Sequence, residues 1–126
     1  MVDWRTVGDY YVLYRLARQG YVCSPVDSGA ASILACSEDG TRVALVVVEI
    51  RHGRQEWQLT ADLRSARNVS YVFVDFTEDG LPPCSIVPSA VLAARLSHTR
   101  LDAEWINQHR DAWHALGLDL RLAHAS

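Results

Sequence analysis

The sequence contains no lysine, and all twelve of its basic residues are arginine. This absence excludes every reaction that depends on a lysine amine, and its simplest explanation is a compositional bias of the genome. Acidic residues outnumber basic ones, and the net charge is −3. The chain as a whole is therefore not a basic nucleic-acid binder, although a local basic patch is compatible with this charge.

Long apolar runs are absent as well. No run approaches the roughly 18 residues that a membrane helix needs, and MVDWRTVGDYY lacks the basic start and apolar block of a signal peptide. Cysteine is scarce, and Cys23, Cys36 and Cys84 show no CxxC or metal-binding spacing. We therefore expect a cytoplasmic protein without a membrane partner and with buried free thiols. A catalytic cysteine is the less favoured alternative.

The residues that are present fit one domain spanning 1–126, since 49% of them are apolar and can form a core. No repeat or long linker divides the chain. We expect a core over about residues 5–95 and a helical extension over about residues 100–117.

Periodicity and turn signals predict the order helix, three strands, helix, two strands, two helices. Thr6 and Asp9 suggest a capping box for the first helix, which Gly20 ends. The second predicted helix is LTADLRSARN, capped by Thr60. The third is capped by Ser89, and the last is LDAEWINQHRDAWHALGL.

Within the predicted strands TRVALVVVEI and VSYVFVDF, the runs 43–50 and 71–76 are apolar at nearly every position, which is typical of central strands covered on both faces. The helix predicted between them indicates a parallel crossover. The expected fold is an α/β three-layer sandwich with a central mixed sheet of about five strands flanked by helices.

The third strand ends in polar residues, since LVVVEIRHG passes from apolar residues to Glu49 and Arg51. Side chains alternate along a strand, so these two project from the same face, about 7 Å apart. They form either a functional site or a plain ion pair.

Three motifs resemble the PD-(D/E)XK nuclease superfamily, and most closely its small resolvase-like members. GDYYVLYRLARQG is similar to the opening helix of that family, VEIR to its acid-x-lysine strand end, and YVFVDF with CSIVP to its later strands. The resemblance covers about residues 5–95 and implies a restriction-endonuclease-like fold.

The resemblance also implies a site for Mg²⁺ or Mn²⁺, which would activate water for phosphodiester hydrolysis. By position, Glu49 corresponds to the motif acid, Arg51 to the lysine, Asp9 to an acid on the helix and Ser32 to the hairpin aspartate. Ser32 is a poor magnesium ligand, and Arg51 cannot give up its proton. Asp27 in the VDSG turn is a candidate replacement ligand beside Glu49 and Asp9, although aspartates in turns usually bond their own backbone.

Each of these residues also has a structural interpretation. Asp9 in a first helical turn is favoured by the helix dipole, Ser32 could be polar filler on a strand, and Glu49 could pair with Arg51. Without the missing acid, we favour the structural pair over a working metal site.

Six arginines are candidates for gripping a phosphate backbone, because guanidinium groups bind phosphate with two hydrogen bonds. Solvated helix faces explain the same pattern about as well. The six residues are Arg15, Arg18, Arg51, Arg54, Arg64 and Arg67.

The last predicted helix places Trp105 and Trp113 on one face, together with His109, Ala112 and Leu116. Core packing is the default explanation, and a homodimer through this face is the second, since aromatic residues are enriched at interfaces.

The sequence thus favours a degenerate, non-catalytic nuclease-like domain that binds nucleic acid or a protein partner and needs no cofactor. The alternative is a DNA endonuclease that depends on Mg²⁺ or Mn²⁺ and has a remodelled active site.

Overall fold

The computed structural model describes residues 1–53, 55–77 and 79–123. Within them, helices pack on both faces of a single sheet. The helices are α1 (Trp4–Arg18), α2 (Ser89–Leu96), α3 (Ala103–Asn107) and α4 (Leu120–Ala123), with a 3₁₀ turn at Trp113–Ala115. The strands are β1 (Tyr21–Ser28), β2 (Ala31–Ser37), β3 (Arg42–Arg51), β4 (Val69–Asp75), β5 (Cys84–Pro88) and β6 (Leu118–Asp119).

The sheet is mixed, as the sequence predicts. Strands β1 to β5 lie side by side in chain order, and all neighbours are antiparallel except β3 and β4. The parallel register places Glu49 opposite Phe73 and Arg51 opposite Asp75. The short β6 pairs with the start of β3 at Arg42, so the end of the chain joins the sheet.

Helix α1 covers one face of the sheet. Its buried Val12 and Leu16 share a hydrophobic cluster with Val48 of β3. Gly8 permits this close approach, because a Cβ at that position would lie 2.5 Å from Cγ2 of Ile50. The start of α1 is therefore held directly against the end of β3.

The opposite face is covered by the segment between β3 and β4 and by α2 and α3. Trp57 of that segment contacts Phe73 edge to face, with 5.2 Å between ring centroids. Helices α2 and α3 contribute Leu92 and Ile106 to the same cluster. Coverage of both faces confirms the α/β class and explains why the central strands are apolar throughout.

The helix predicted over LTADLRSARN is wrong, since the described residues of 52–68 contain no helix. Backbone groups of this segment bond to other elements instead. The amide of Thr60 donates to Glu49, and the Ser89 hydroxyl both accepts from the amide of Ala66 and donates to its carbonyl. Ser89 is consequently the first residue of α2 and not its cap.

The last predicted helix is also wrong, because α3 ends at Asn107 and the chain then pairs with β5. The amide of Ile86 donates to the carbonyl of His109 at 3.1 Å, and the amide of Asp111 donates to the carbonyl of Cys84 at 2.9 Å. Asp111 has a φ of 57°, which lies outside the helical region. Pairing with an edge strand thus interrupts the helix.

Trp105 and Trp113 consequently belong to different clusters. Trp105 packs beside the cluster that contains Trp57, whereas Trp113 is buried in the cluster on the α1 side. The single helix on which the predicted Trp105/Trp113 dimer surface depends is not formed.

Helix α1 begins earlier than the predicted capping box. Its N-cap is Asp3, whose carboxylate accepts hydrogen bonds from the amides of Arg5 and Thr6. Asp9 therefore lies in the second turn, where the helix dipole no longer favours a carboxylate. The predicted end is confirmed, since Gly20 follows the helix with a φ of 88°.

Two features bear on the expected compartment. All three cysteines are free, but only Cys84 is buried, while Cys23 is half-buried and Cys36 is exposed. Among the described residues, no helix combines the length and the hydropathy needed to cross a bilayer.

Candidate functional site

The candidate site lies at Glu49, near the end of β3, where the residue is only 1% exposed. Arg5 donates to its Oε1 at 3.3 Å. Thr60 donates twice, from its amide to Oε2 at 2.8 Å and from its hydroxyl to Oε1 at 2.7 Å. A buried charge is costly unless it is paired and hydrogen-bonded, and here both carboxylate oxygens have partners within the fold.

Arg5 reaches Glu49 from the first turn of α1 and also donates to the Thr60 hydroxyl at 3.3 Å. Its guanidinium bridges the helix, the strand end and the segment that follows β3. Because α1 packs closely on β3 at Gly8, the Arg5 side chain has only a short distance to span to Glu49. Arg5 thus places a fixed positive charge beside the carboxylate that the resemblance assigns to metal binding.

Asp9 follows Arg5 by one turn on the same face of α1. The Ser32 hydroxyl donates to Asp9 Oδ1 at 3.2 Å. Burial raises the pKa of Asp9, while the Ser32 hydrogen bond and the charge of Arg5 oppose that rise. The two residues that the resemblance assigns to the helix acid and the hairpin aspartate are therefore in contact.

Arg51 and Glu49 do not form the predicted pair, because each has another partner. Arg51 Nη2 donates to Asp75 Oδ2 at 2.8 Å, and its guanidinium lies over the ring of Trp57, 5.0 Å from the centroid. Burial opposes the ionisation of Asp75, but hydrogen bonds from Arg51 and Thr77 hold its pKa below the usual value. Arg51 thus ties the ends of β3 and β4 together.

A cleft of about 450 Å³ opens beside Arg5. At an adjacent cleft, the indole of Trp4 stacks on the imidazole of His52, with 5.3 Å between centroids. The cleft beside Arg5 is open to solvent, and its lining mixes polar side chains with the apolar surface of Ile50. Its lining residues are Arg5, Ile50, His52, Gln55, Glu56, Gln58 and Thr60.

The described part of the chain holds no group of three or more His, Cys, Asp or Glu residues arranged for a metal ion. Of the predicted ligands, Glu49 and Asp9 are engaged as above, and Asp27 is exposed on β1 rather than in a turn. A cation that bound Glu49 would lie beside the guanidinium of Arg5, whose positive charge would oppose its binding.

The predicted phosphate-binding arginines are spread over several elements. Arg15 donates to Asp111 at 3.0 Å, Arg18 lies over the ring of Tyr14, and Arg51 is paired as described. Arg64 and Arg67 share no helical face, because the described residues around them form no helix, and Arg54 lies outside the described residues.

Sequence reasoning missed Arg5, Thr60 and Asp75 as partners of the site. Arg5 precedes Asp9 by one helical turn, so helix periodicity could have predicted that both residues lie on the same face of α1. Asp75 ends YVFVD just as Arg51 ends VEIR, and adjacent parallel strands bring such ends together. Thr60 had no comparable signal, because its segment is held by tertiary contacts.

Comparisons of the chain with models of protein families, with curated proteins and with solved structures found no match.

Proposed function

We propose that this chain is a non-catalytic, cytoplasmic domain of restriction-endonuclease-like architecture that acts by binding a protein partner. The observation that carries the proposal is the engagement of Glu49 by Arg5 and Thr60. Metal-dependent phosphodiester hydrolysis needs a bound ion to lower the pKa of the attacking water. Here a guanidinium contacts the carboxylate that would hold that ion.

Electrostatics argue further against metal binding. Mg²⁺ prefers several hard oxygen ligands, chiefly carboxylates. The resemblance assigns two further ligand positions to Asp9 and Ser32, and Ser32 offers a hydroxyl in place of a carboxylate and donates it to Asp9. An incoming ion would also be repelled by the guanidinium of Arg5, which lies 3.3 Å from Oε1 of Glu49.

A protein fits as partner better than a nucleic acid. The net charge is −3, and the candidate arginines Arg15 and Arg51 pair with carboxylates. Pairing of this kind reduces the charge available for phosphate contacts. Exposed apolar and aromatic side chains, described below, are more typical of protein interfaces.

Nicking and binding assays on branched and plain DNA test this proposal. With Mg²⁺ or Mn²⁺ present, we expect no cleavage above the level of the Glu49→Ala variant, and DNA binding weaker than about 100 µM at physiological salt. Cleavage that requires metal and disappears in Glu49→Ala would overturn the proposal. Tighter DNA binding without cleavage would replace the protein partner with a nucleic acid.

One observation favours the alternative of a metal-dependent DNA endonuclease. Arg5 and Asp9 on one face of α1 contact Glu49 and Ser32, which are the positions that the resemblance assigns to the metal site. The double variant Arg5→Ala, Ser32→Asp removes the competing cation and supplies the missing carboxylate. We expect Mn²⁺ to raise the unfolding temperature of this variant by about 3–6 °C.

Two controls accompany the double variant, namely the wild-type protein and Arg5→Ala, Ser32→Asn, which has the same size without the new charge. We expect Mn²⁺ to leave the unfolding temperature of both unchanged. A shift of equal size in the wild-type protein would favour the endonuclease.

A further inference from the structure

The outer face of α1 carries a row of exposed apolar and aromatic side chains. Val7, Tyr10 and Tyr14 are 39%, 69% and 55% exposed, and Ala17 beyond them is also exposed. Their spacing of three and four residues is the a/d repeat by which two helices pack. The buried side of α1, with Val12 and Leu16, already faces the sheet, so this second stripe has no role in the core.

Charge is distributed unequally along the same face. Exposed Asp3 lies at the N-terminal end of α1, and exposed Arg18 lies at its C-terminal end. The guanidinium of Arg18 is folded over the ring of Tyr14, with 6.0 Å between Cζ and the centroid. Each end of the stripe thus carries one sign of charge, and the helix dipole adds charge of the opposite sign at each end.

We infer that α1 packs against α1 of a second copy of this chain, in antiparallel orientation about a two-fold axis. An antiparallel arrangement places Asp3 beside Arg18 of the second copy at both ends. A parallel arrangement would instead oppose like charges and like dipole ends. This inference rests on the proposed role in protein binding and names the partner.

The register follows from the same residues. When Asp3 faces Arg18 of the second copy, Val7 faces Tyr14, and Tyr10 lies next to the two-fold axis. The branched side chain of Val7 is thereby matched with the ring of Tyr14. A self-complementary patch of this kind is what a two-fold interface requires.

The expected affinity is modest. A single pair of four-turn helices buries less surface than the roughly 1,200 Å² of a stable interface, so we expect a Kd of about 10–100 µM. The dimer would then form as the concentration of the chain rises.

Sedimentation equilibrium of the full chain, from about 5 to 500 µM, measures this dimer. We expect the wild-type protein to dimerise. The double variant Tyr10→Glu, Tyr14→Glu should raise the Kd at least about tenfold, because it places carboxylates between the two α1 helices. Val22→Glu is the matched control, since Val22 is 64% exposed and lies on β1. We expect its Kd to match that of the wild-type protein.

Arg18→Glu determines the orientation, with Arg100→Glu as a control of equal charge change at an exposed position outside α1. In the antiparallel dimer Arg18→Glu opposes Asp3, and we expect the Kd to rise about fivefold or more. In a parallel dimer the substitution would replace facing arginines with facing glutamates, so a Kd that does not rise would contradict the antiparallel arrangement. Circular dichroism confirms that each variant is folded.

Three other outcomes would overturn the inference: a wild-type monomer at every concentration, a dimer insensitive to Tyr10→Glu, Tyr14→Glu, or equal loss in Val22→Glu. None of them depends on metal or DNA. Failure of self-association is therefore distinguishable from failure of the non-catalytic assignment, which the nicking assay tests.

Discussion

The position of Glu49 in the sequence and its contacts in the structure suggest two different roles. Its place at the strand end suggests a metal ligand, whereas its contacts are those of a structural carboxylate. Arg5 and Thr60 contact both oxygens, and Thr60 in turn fixes the middle of the segment that covers the sheet. The residue therefore links α1, β3 and this segment.

Replacing Glu49 with glutamine tests this structural role. The amide retains one acceptor oxygen, but its NH₂ group faces a Thr60 donor, and the ion pair with Arg5 is lost. We expect the free energy of unfolding in urea to fall by about 1–3 kcal/mol. Glu56→Gln, at an exposed position nearby, is the control and should change it by less than about 0.5 kcal/mol. Equal stability of the two variants would contradict the role.

Asp75 makes the stability depend on pH. Its folded-state pKa lies below the ordinary value of 3.8, so its contribution is present above pH 3.8 and is lost as the pH falls through the folded-state pKa. We expect Asp75→Asn to lose about 1–3 kcal/mol at neutral pH, with a difference that shrinks below pH 3.8.

Urea unfolding at several pH values measures this difference, and Asp79→Asn at an exposed position serves as control. A deficit in Asp75→Asn that is constant across the acid range would show that its hydrogen bonds, and not its charge, stabilise the strand ends.

At the scale of elements, the sequence predicted correctly those helices and strands whose bounds depend on residues close together in the chain. The first helix, its end at Gly20 and the strands follow from periodicity and turn residues. The two incorrectly predicted helices lie where the backbone forms hydrogen bonds with other elements. Ser89 bonds the backbone of Ala66, and β5 bonds the amide of Asp111. Helix propensity is a weak guide at such places.

The contact between α1 and β3 is the element-level feature on which the site depends. In Gly8→Ala the new Cβ would meet Cγ2 of Ile50 at 2.5 Å, and a branched side chain on a strand has little freedom to move. We expect a loss of about 1–3 kcal/mol in unfolding free energy, although alanine is the better helix former by about 1 kcal/mol.

A double-mutant cycle with Ile50→Ala isolates this clash. The cost of Gly8→Ala should largely disappear when Ile50 is already alanine, because the atom it meets is gone. An unchanged cost would mean that α1 and β3 are not held as closely as the structure places them.

At the scale of the molecule, the mixed sheet was predictable because apolar strands and short turns are local features. The site was predictable only in part. Glu49, Asp9 and Ser32 were identified by a resemblance, and the structure brings Asp9 and Ser32 into contact. Arg5 was not identified, because its position beside Glu49 depends on how α1 docks. The packing of α1 on β3 therefore determines that the Glu49 carboxylate contacts Arg5.

The most direct test of the central claim is calorimetric titration of the wild-type protein with Mn²⁺, with Glu49→Ala as reference. The account predicts no saturable binding up to about 1 mM in either protein, because Arg5 and Thr60 already occupy the carboxylate. Stoichiometric binding by the wild-type protein that is lost in Glu49→Ala would contradict it.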